Sequence, residues 1–353
     1  MENKNIEKHI EKLFKNDSNN YIFIYTPPKV GSTTLVTSLR ISLGKSYNII
    51  HIHDETMLNV LTGIKNVTIN EIINYLNEKG KNVYVIDVYR LPIERKMSEF
   101  FEKIDCYHFN NTCENINKYN INRIYKRFNN LFTHLSNGDH YFDKYNIENP
   151  IPFDFENKYT LQIINNIKYI KLRLCDSSIW GKILSNIFKT DIVLINDYST
   201  DSKEINILYK KFKSEYKLPL NYLEIIKNCK YFHFYNSESE KSEYIKKWSL
   251  IVVDDYVGYS KEEYNFYVNL YLENQYINDI QKRHYIDNNC YCINCSKKRC
   301  ELFFKAKSGE NIKEKIEHET AKNNLNNLNN LNKKKQNKKI IINKPKNFNL
   351  NLT

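Results

Sequence analysis

Apolar positions between Tyr21 and Ile104 switch repeatedly between short continuous runs and a three-to-four spacing, the signature of strands alternating with helices. Ile22, Phe23, Ile24 and Tyr25 form a β-favouring run that ends at Thr26-Pro27-Pro28, because prolines supply no ladder donors. From near Ser32 the pattern turns helical, with Leu35, Val36, Leu39 and Leu43 on one stripe. Asn48 to His53 reads as a second strand. Thr68 to Lys79 reads as a helix with Ile69, Ile72, Ile73 and Leu76 inward, Thr68 as cap and Gly80 as stop. Val83 to Arg90 holds a third strand, and Ile93 to Ile104 a third helix with Pro92 in its first turn. Strand, helix, strand, helix, strand predicts an α/β fold with a central parallel sheet flanked by helices in three layers. Ligands on such sheets bind at the carboxyl ends of the strands, where Lys29, His51, His53 and Arg90 all fall.

The remaining chain predicts further elements around this unit. Met1 to Asp17 carries Ile6, Ile10 and Leu13 at helical spacing, and Asn117 to Leu135 repeats the pattern with Ile121, Ile124, Phe128 and Phe132. The segment through Pro150 and Pro152 reads as loop. Tyr169 to Leu174 and Asp191 to Ile195 read as strands flanking a helix from Ser177 to Phe188, and helices follow over Glu204 to Tyr216 and Leu220 to Cys229. A tyrosine-rich helix is expected over Ser260 to His284. Beyond Lys305 the apolar pattern fails, and Asn323 to Lys339 is a low-complexity run of Asn, Leu and Lys that predicts a disordered tail. The expected organisation is a P-loop domain over 1–250, a helical extension with a cysteine cluster over 251–304, and the tail over 305–353.

Charge modifies this picture less than its total suggests. The net charge is +12, but the stretch from Lys305 to Thr353 holds 12 lysines against 4 glutamates, so +8 of it resides in the tail. The small surplus left for the other residues suits a polyanionic nucleotide better than a nucleic acid, for which only weak binding by the tail is expected. No run of about 18 apolar residues occurs, and the N-terminal segment does not read as a signal peptide, so a soluble cytoplasmic protein without a membrane-spanning segment is expected.

Candidate chemistry concentrates at two strand ends. Between Tyr25 and Leu35 lies Thr-Pro-Pro-Lys-Val-Gly-Ser-Thr-Thr, and Gly31 is one of only 8 glycines in 353 residues, which makes its place at a strand-to-helix turn informative. Loop N–H groups of Val30 and Gly31, the hydroxyls of Ser32, Thr33 and Thr34, and the Lys29 ammonium are the donors that would surround a phosphate at a helix N-terminus. A Walker loop requires its lysine after the second glycine, whereas Lys29 precedes the loop's glycine, which disfavours an ordinary ATPase or kinase. At the second site Arg90 ends a strand and Ser98 follows on a helix, a guanidinium and a hydroxyl suited to a further phosphate.

The run Pro28 to Thr33 resembles the 5′-phosphosulfate loop of the P-loop sulfotransferase superfamily. The pattern Arg90-x-Pro92-x-x-Arg95-x-x-Ser98 resembles that family's 3′-phosphate motif, although Leu91 stands where the family usually has an acid. Lys230 to Trp248 is similar to the C-terminal part of a sulfotransferase-like group associated with capsular polysaccharide synthesis. The resemblance spans about Tyr21 to Trp248 and is strongest at the two phosphate motifs. It implies 3′-phosphoadenosine-5′-phosphosulfate as donor, bound by Lys29, Val30, Gly31, Ser32, Thr33, Thr34, Arg90 and Ser98. It also implies transfer of a sulfuryl group to a hydroxyl or amine, with a carbohydrate as the acceptor class. Lys29 would act in catalysis by stabilising charge on the breaking bond, and His53 or His51 would serve as base. Two alternatives stay open: a non-catalytic nucleotide-binding or interaction protein that retains the loop, and a kinase using ATP.

Cys290, Cys292, Cys295 and Cys300 form a separate cluster, dense enough for a tetrahedral zinc site but spaced unlike the common finger patterns. Zinc ligands and unligated thiols are both consistent with that spacing.

Overall fold

The computed structural model describes residues 2–14, 18–102, 104–108, 112–131, 140–145, 151–195, 204–253, 260–262 and 293–310. In chain order, α1 (Glu2–Leu13) leads to β1 (Asn20–Tyr25), α2 (Ser32–Leu43), β2 (Asn48–Ile52), α3 (Glu55–Thr62), α4 (Ile69–Glu78), β3 (Asn82–Tyr89) and α5 (Pro92–Glu102). Then follow α6 (Ile104–Tyr107), α7 (Cys113–Ile116), α8 (Ile121–Leu131), α9 (His140–Tyr145), β4 (Tyr159–Ile164) and β5 (Ile167–Arg173). A 3₁₀ turn over Leu174–Ile179 enters α10 (Trp180–Phe188), followed by α11 (Asn206–Glu215), β6 (Leu218–Pro219), α12 (Leu220–Lys227), α13 (Lys230–Phe234), α14 (Glu238–Ser249), β7 (Val252–Val253) and α15 (Ile293–Lys307).

Five strands pair in the order β2-β1-β3-β5-β4, the first four parallel and β4 antiparallel at the edge. The chain leaves β1 for one side and returns to the other, so the crevice between the carboxyl ends of β1 and β3 is the switch point of the sheet. Leu35, Val36 and Leu39 of α2 join Trp180, Ile183 and Leu184 of α10 over one face of the sheet. Ile6 of α1, Leu58 of α3, Ile72 of α4 and Tyr141 of α9 cover the other. A separate helical core gathers α5, α8, α11, α12, α13 and α14 around Phe100, Phe128, Phe212 and Trp248.

Local chemistry accounts for the element boundaries. Thr68 caps α4 in a reciprocal capping box with Glu71, and Gly80 beyond the helix takes φ 73°, as its cap and stop residues predict. Asp54 caps α3 by accepting from the Met57 N–H at 2.8 Å. Ser237 and Glu240 form a second capping box that divides Lys230 to Trp248 into α13 and α14.

Two expectations are corrected. Asp191 to Ile195 does not form a strand, because its N–H groups find serines: Ile192 donates to Ser185, Val193 to Ser42 and Ile195 to Ser38. The segment therefore rests on α10 and α2 instead of extending the sheet. Conversely, β4 is an additional edge strand, joined to β5 by Asn165-Asn166, both at positive φ (50° and 67°), which makes a two-residue hairpin and the sheet mixed.

Leu302 of α15 packs with Ile41 of α2 and Ile195, so this helix, which runs past 304 to Lys307, docks directly on the sheet-covering layer. The expected tyrosine-rich helix, apart from 260–262, and the tail beyond 310 lie outside the described residues, as do Cys290 and Cys292. Among the described residues no helix is long and apolar enough to cross a membrane.

Candidate functional site

The loop from Thr26 to Gly31 occupies the switch point because β1 ends there and α2 begins at Ser32. Gly31 takes φ 87°, a left-handed conformation that L side chains rarely adopt. It is also pressed from behind: a Cβ on it would stand 2.8 Å from Leu174 Cδ1 and 3.1 Å from the Trp180 ring. Glycine thus satisfies a backbone and a packing demand at once. The N-cap of α2 is Gly31, which has no side chain to cap the helix, so the first N–H groups of a 12-residue helix face the loop with the half-buried Thr33 and Thr34 beside them. Ser32 and Val30 are buried and anchor the turn.

Two arginines from the β3–α5 junction grip this loop. Arg90 Nη1 donates to the Lys29 carbonyl at 2.6 Å, and Arg95 Nε donates to the Pro28 carbonyl at 3.2 Å. Lys29 itself takes φ 65°, left-handed without being glycine, and the Arg90 bond to its carbonyl helps hold that strained turn. Burial pulls the guanidinium pKa of both arginines down. Tyr209 and Glu94 oppose this at Arg90, as Glu99 and Asp87 do at Arg95. Such desolvated cations stabilise any anion that reaches them more than exposed ones would.

Helix α5 presents one stripe to the loop. Arg95, Ser98, Glu99 and Glu102 recur at spacings of three and four, and both ends of the stripe touch the loop, Arg95 through Pro28 and Glu102 through an ion pair with Lys29 Nζ at 3.1 Å. Ser98 lies between them, half-buried. The opposite face of α5, with Ile93, Met97 and Phe100, enters the helical core. Arg95 and Glu102 were not among the expected site residues; the i, i+3, i+7 spacing from Arg95 is the signal that would have placed them with Ser98.

The two histidines at the end of β2 occupy different environments. His51 is 1% exposed and lies behind His53, their rings edge to face at 4.5 Å. His53 is half-buried, and its Nδ1 lies 2.6 Å from the Thr26 carbonyl at the start of the loop. A carbonyl can only accept, so Nδ1 carries the proton and, in the neutral ring, Nε2 holds the basic lone pair.

The structure therefore brings Lys29, Arg90, Gly31 and the start of α2 to one crevice, with Ser98 on the helix stripe beside it and His53, at the end of β2, tied to the Thr26 carbonyl where the loop begins. It places Cys300 elsewhere, exposed on α15, where Lys45 Nζ donates to its sulfur at 3.8 Å. Cys295 lies within α15. Among the described residues no group of three or more His, Cys, Asp or Glu is arranged to hold a metal ion.

Deeper in the sheet, Lys171 and Asp87 form a buried pair at 2.7 Å beside a small pocket lined by Thr160, Gln162, Tyr141 and Tyr169. At the end of β5, Arg173 is 1% exposed and binds Asp176, Glu240 and the Tyr235 carbonyl, tying the sheet to α13 and α14.

Comparison with family models, with curated proteins and with solved structures finds no match.

Proposed function

We propose that this protein is a sulfotransferase that moves a sulfuryl group from 3′-phosphoadenosine-5′-phosphosulfate to a hydroxyl or amine, with a carbohydrate as the acceptor class. The observation that carries the reading is the meeting of the two phosphate-like motifs: Arg90 and Lys29, 61 residues apart, are joined at the switch point of the sheet. The donor set fits a nucleotide bearing phosphates at two positions. Loop N–H groups, Ser32, Thr33, Thr34 and Lys29 supply one anion site, and Arg90 with Ser98 supplies the other. The donor contributes an activated sulfuryl group whose transfer requires charge stabilisation on the departing phosphate oxygen.

Lys29 supplies that charge from the loop, where its effect is greatest as the bond breaks. His53 supplies the base: with Nδ1–H held by Thr26, Nε2 is the nitrogen that takes the acceptor's proton. His51, buried behind it, supports the ring of His53 and does not reach solvent. The reading is tested by incubating the full chain with ³⁵S-labelled donor and a panel of glycans, amines and alcohols. Transfer that is lost in His53→Ala and Lys29→Ala supports it. Intact donor binding with no transfer to any acceptor in the panel would favour a nucleotide-binding protein that retains the loop without the chemistry.

A further inference from the structure

We infer that Glu102 is a built-in competitor for Lys29, a counter-ion that sets how tightly the loop holds an anion. The inference rests on the reading of this loop as an anion site. Three observations converge on it. The Glu102 carboxylate lies 3.1 Å from Lys29 Nζ, and the two side chains are 30% and 17% exposed, so the pair is partly withdrawn from water, where charge competition is felt more strongly than on an open surface. Lys29 occupies a left-handed backbone conformation, and the Arg90 bond to its carbonyl holds the turn. Glu102 stands at the end of α5, on the same stripe as Arg95, which is bound to the Pro28 carbonyl, so the helix that carries the carboxylate is anchored to the loop.

An anion arriving at the N-terminus of α2 therefore meets an ammonium that already has a carboxylate partner. Its affinity is the difference between two ion pairs with Lys29, and the arriving charge also feels the repulsion of Glu102. The same competition acts on departure. A carboxylate within reach of Lys29 recaptures the ammonium as the nucleotide leaves, so Glu102 trades affinity for exchange. Glu102 is thus a positioning residue that acts through Lys29.

The test uses the full-length chain and two probes, inorganic pyrophosphate and 3′,5′-phosphoadenosine, in calorimetric titrations of wild type, Glu102→Gln, Glu102→Asp, Lys29→Met and the Lys29→Met/Glu102→Gln double variant. Thermal melting confirms that each variant is folded. Glu102→Gln should bind pyrophosphate about three- to tenfold more tightly than wild type, the range expected for removing one partly exposed counter-ion. Glu102→Asp should stay within about twofold of wild type, and the gain should vanish in the Lys29→Met background. Unchanged or weaker binding by Glu102→Gln, a gain that persists without Lys29, or no pyrophosphate binding by any variant would overturn the inference. The nucleotide separates this outcome from the wider reading. A Lys29-dependent gain for pyrophosphate with no binding of 3′,5′-phosphoadenosine would uphold the role of Glu102 and refute the proposed donor.

Discussion

Arg90 Nη1 donates to the carbonyl of Lys29 at 2.6 Å, so the guanidinium that ends β3 and the lysine that turns the loop after β1 form one structural unit. Each is half-buried at the crevice where the sheet's connections diverge, and neither position would be adjacent without the β2-β1-β3 order. Under the proposed reading, Arg90→Ala should weaken 3′,5′-phosphoadenosine by about 2 to 4 kcal/mol, the cost of losing a desolvated charge-assisted contact. Titration of the nucleotides with and without the 3′-phosphate reads this directly. Equal discrimination by wild type and variant would remove Arg90 from the site.

Gly31→Ala should destabilise the fold by about 2 to 4 kcal/mol, combining a left-handed non-glycine residue with overpacking against Leu174 and Trp180. Urea denaturation measures it. A loss below about 0.5 kcal/mol would mean that Trp180 gives way, and the surface-like cost would contradict the packing described.

Glu240 predicts an acid-sensitive joint. Burial alone would raise its carboxyl, but hydrogen bonds from Arg173 and Ser237 outweigh that and hold it at about 2. A carboxylate depressed in the folded state contributes stability that is present above its unfolded value, about 4.3, and is lost as pH falls towards 2. The contribution is about 1 to 2 kcal/mol after discounting for a side chain that is 35% exposed. Glu240→Gln should flatten the stability profile between about pH 4.5 and 2, read from denaturation midpoints. A wild-type slope retained in that window by the variant would show that another group governs it.

Lys96 is 2% exposed on α5, with Nζ 3.8 Å from the Tyr222 ring centroid and 4.5 Å from that of Phe128. Those rings favour the ammonium by about 2 kcal/mol, less than the several kcal/mol that desolvation costs, and burial accordingly pulls its pKa well below the ordinary value. The unfolded chain then binds one more proton than the folded one throughout the range between the folded value and about 10.4, so stability rises with pH there. Lys96→Met should stabilise the protein by about 1 to 3 kcal/mol at neutral pH, with the gain shrinking towards pH 10. Melting temperatures across pH 7 to 10 check it; a destabilised variant would show that the cation–π contacts dominate.

Much of the candidate site's geometry is legible in the sequence because its signals are local. Gly31 in a chain poor in glycine, prolines closing β1, and an arginine at the end of β3 each declare themselves within a few residues. Thr68 and Gly80 bounded α4 for the same reason. What escaped depended on distant partners. The apolar run from Asp191 to Ile195 looks like a strand until Ser38, Ser42 and Ser185 are seen to take its N–H groups. Glu102 reads as one more charge on a helix surface, and its importance comes from Lys29, far away in sequence but 3.1 Å away in space. The β4–β5 hairpin was the exception, since Asn165-Asn166 between two β-favouring runs is a local signal with a known turn geometry.

On the proposed reading, this crevice holds a nucleotide with phosphates at both the 3′ and 5′ positions. Calorimetric titration of the full chain with 3′,5′-phosphoadenosine, adenosine 5′-phosphate and ATP tests it most directly. The chain should show one site for 3′,5′-phosphoadenosine, at least about 30-fold tighter than for either nucleotide lacking the 3′-phosphate, as follows from about 2 kcal/mol at Arg90. That preference should disappear in Arg90→Ala. Binding of ATP as tight as that of 3′,5′-phosphoadenosine, or no binding of any of the three, would contradict it.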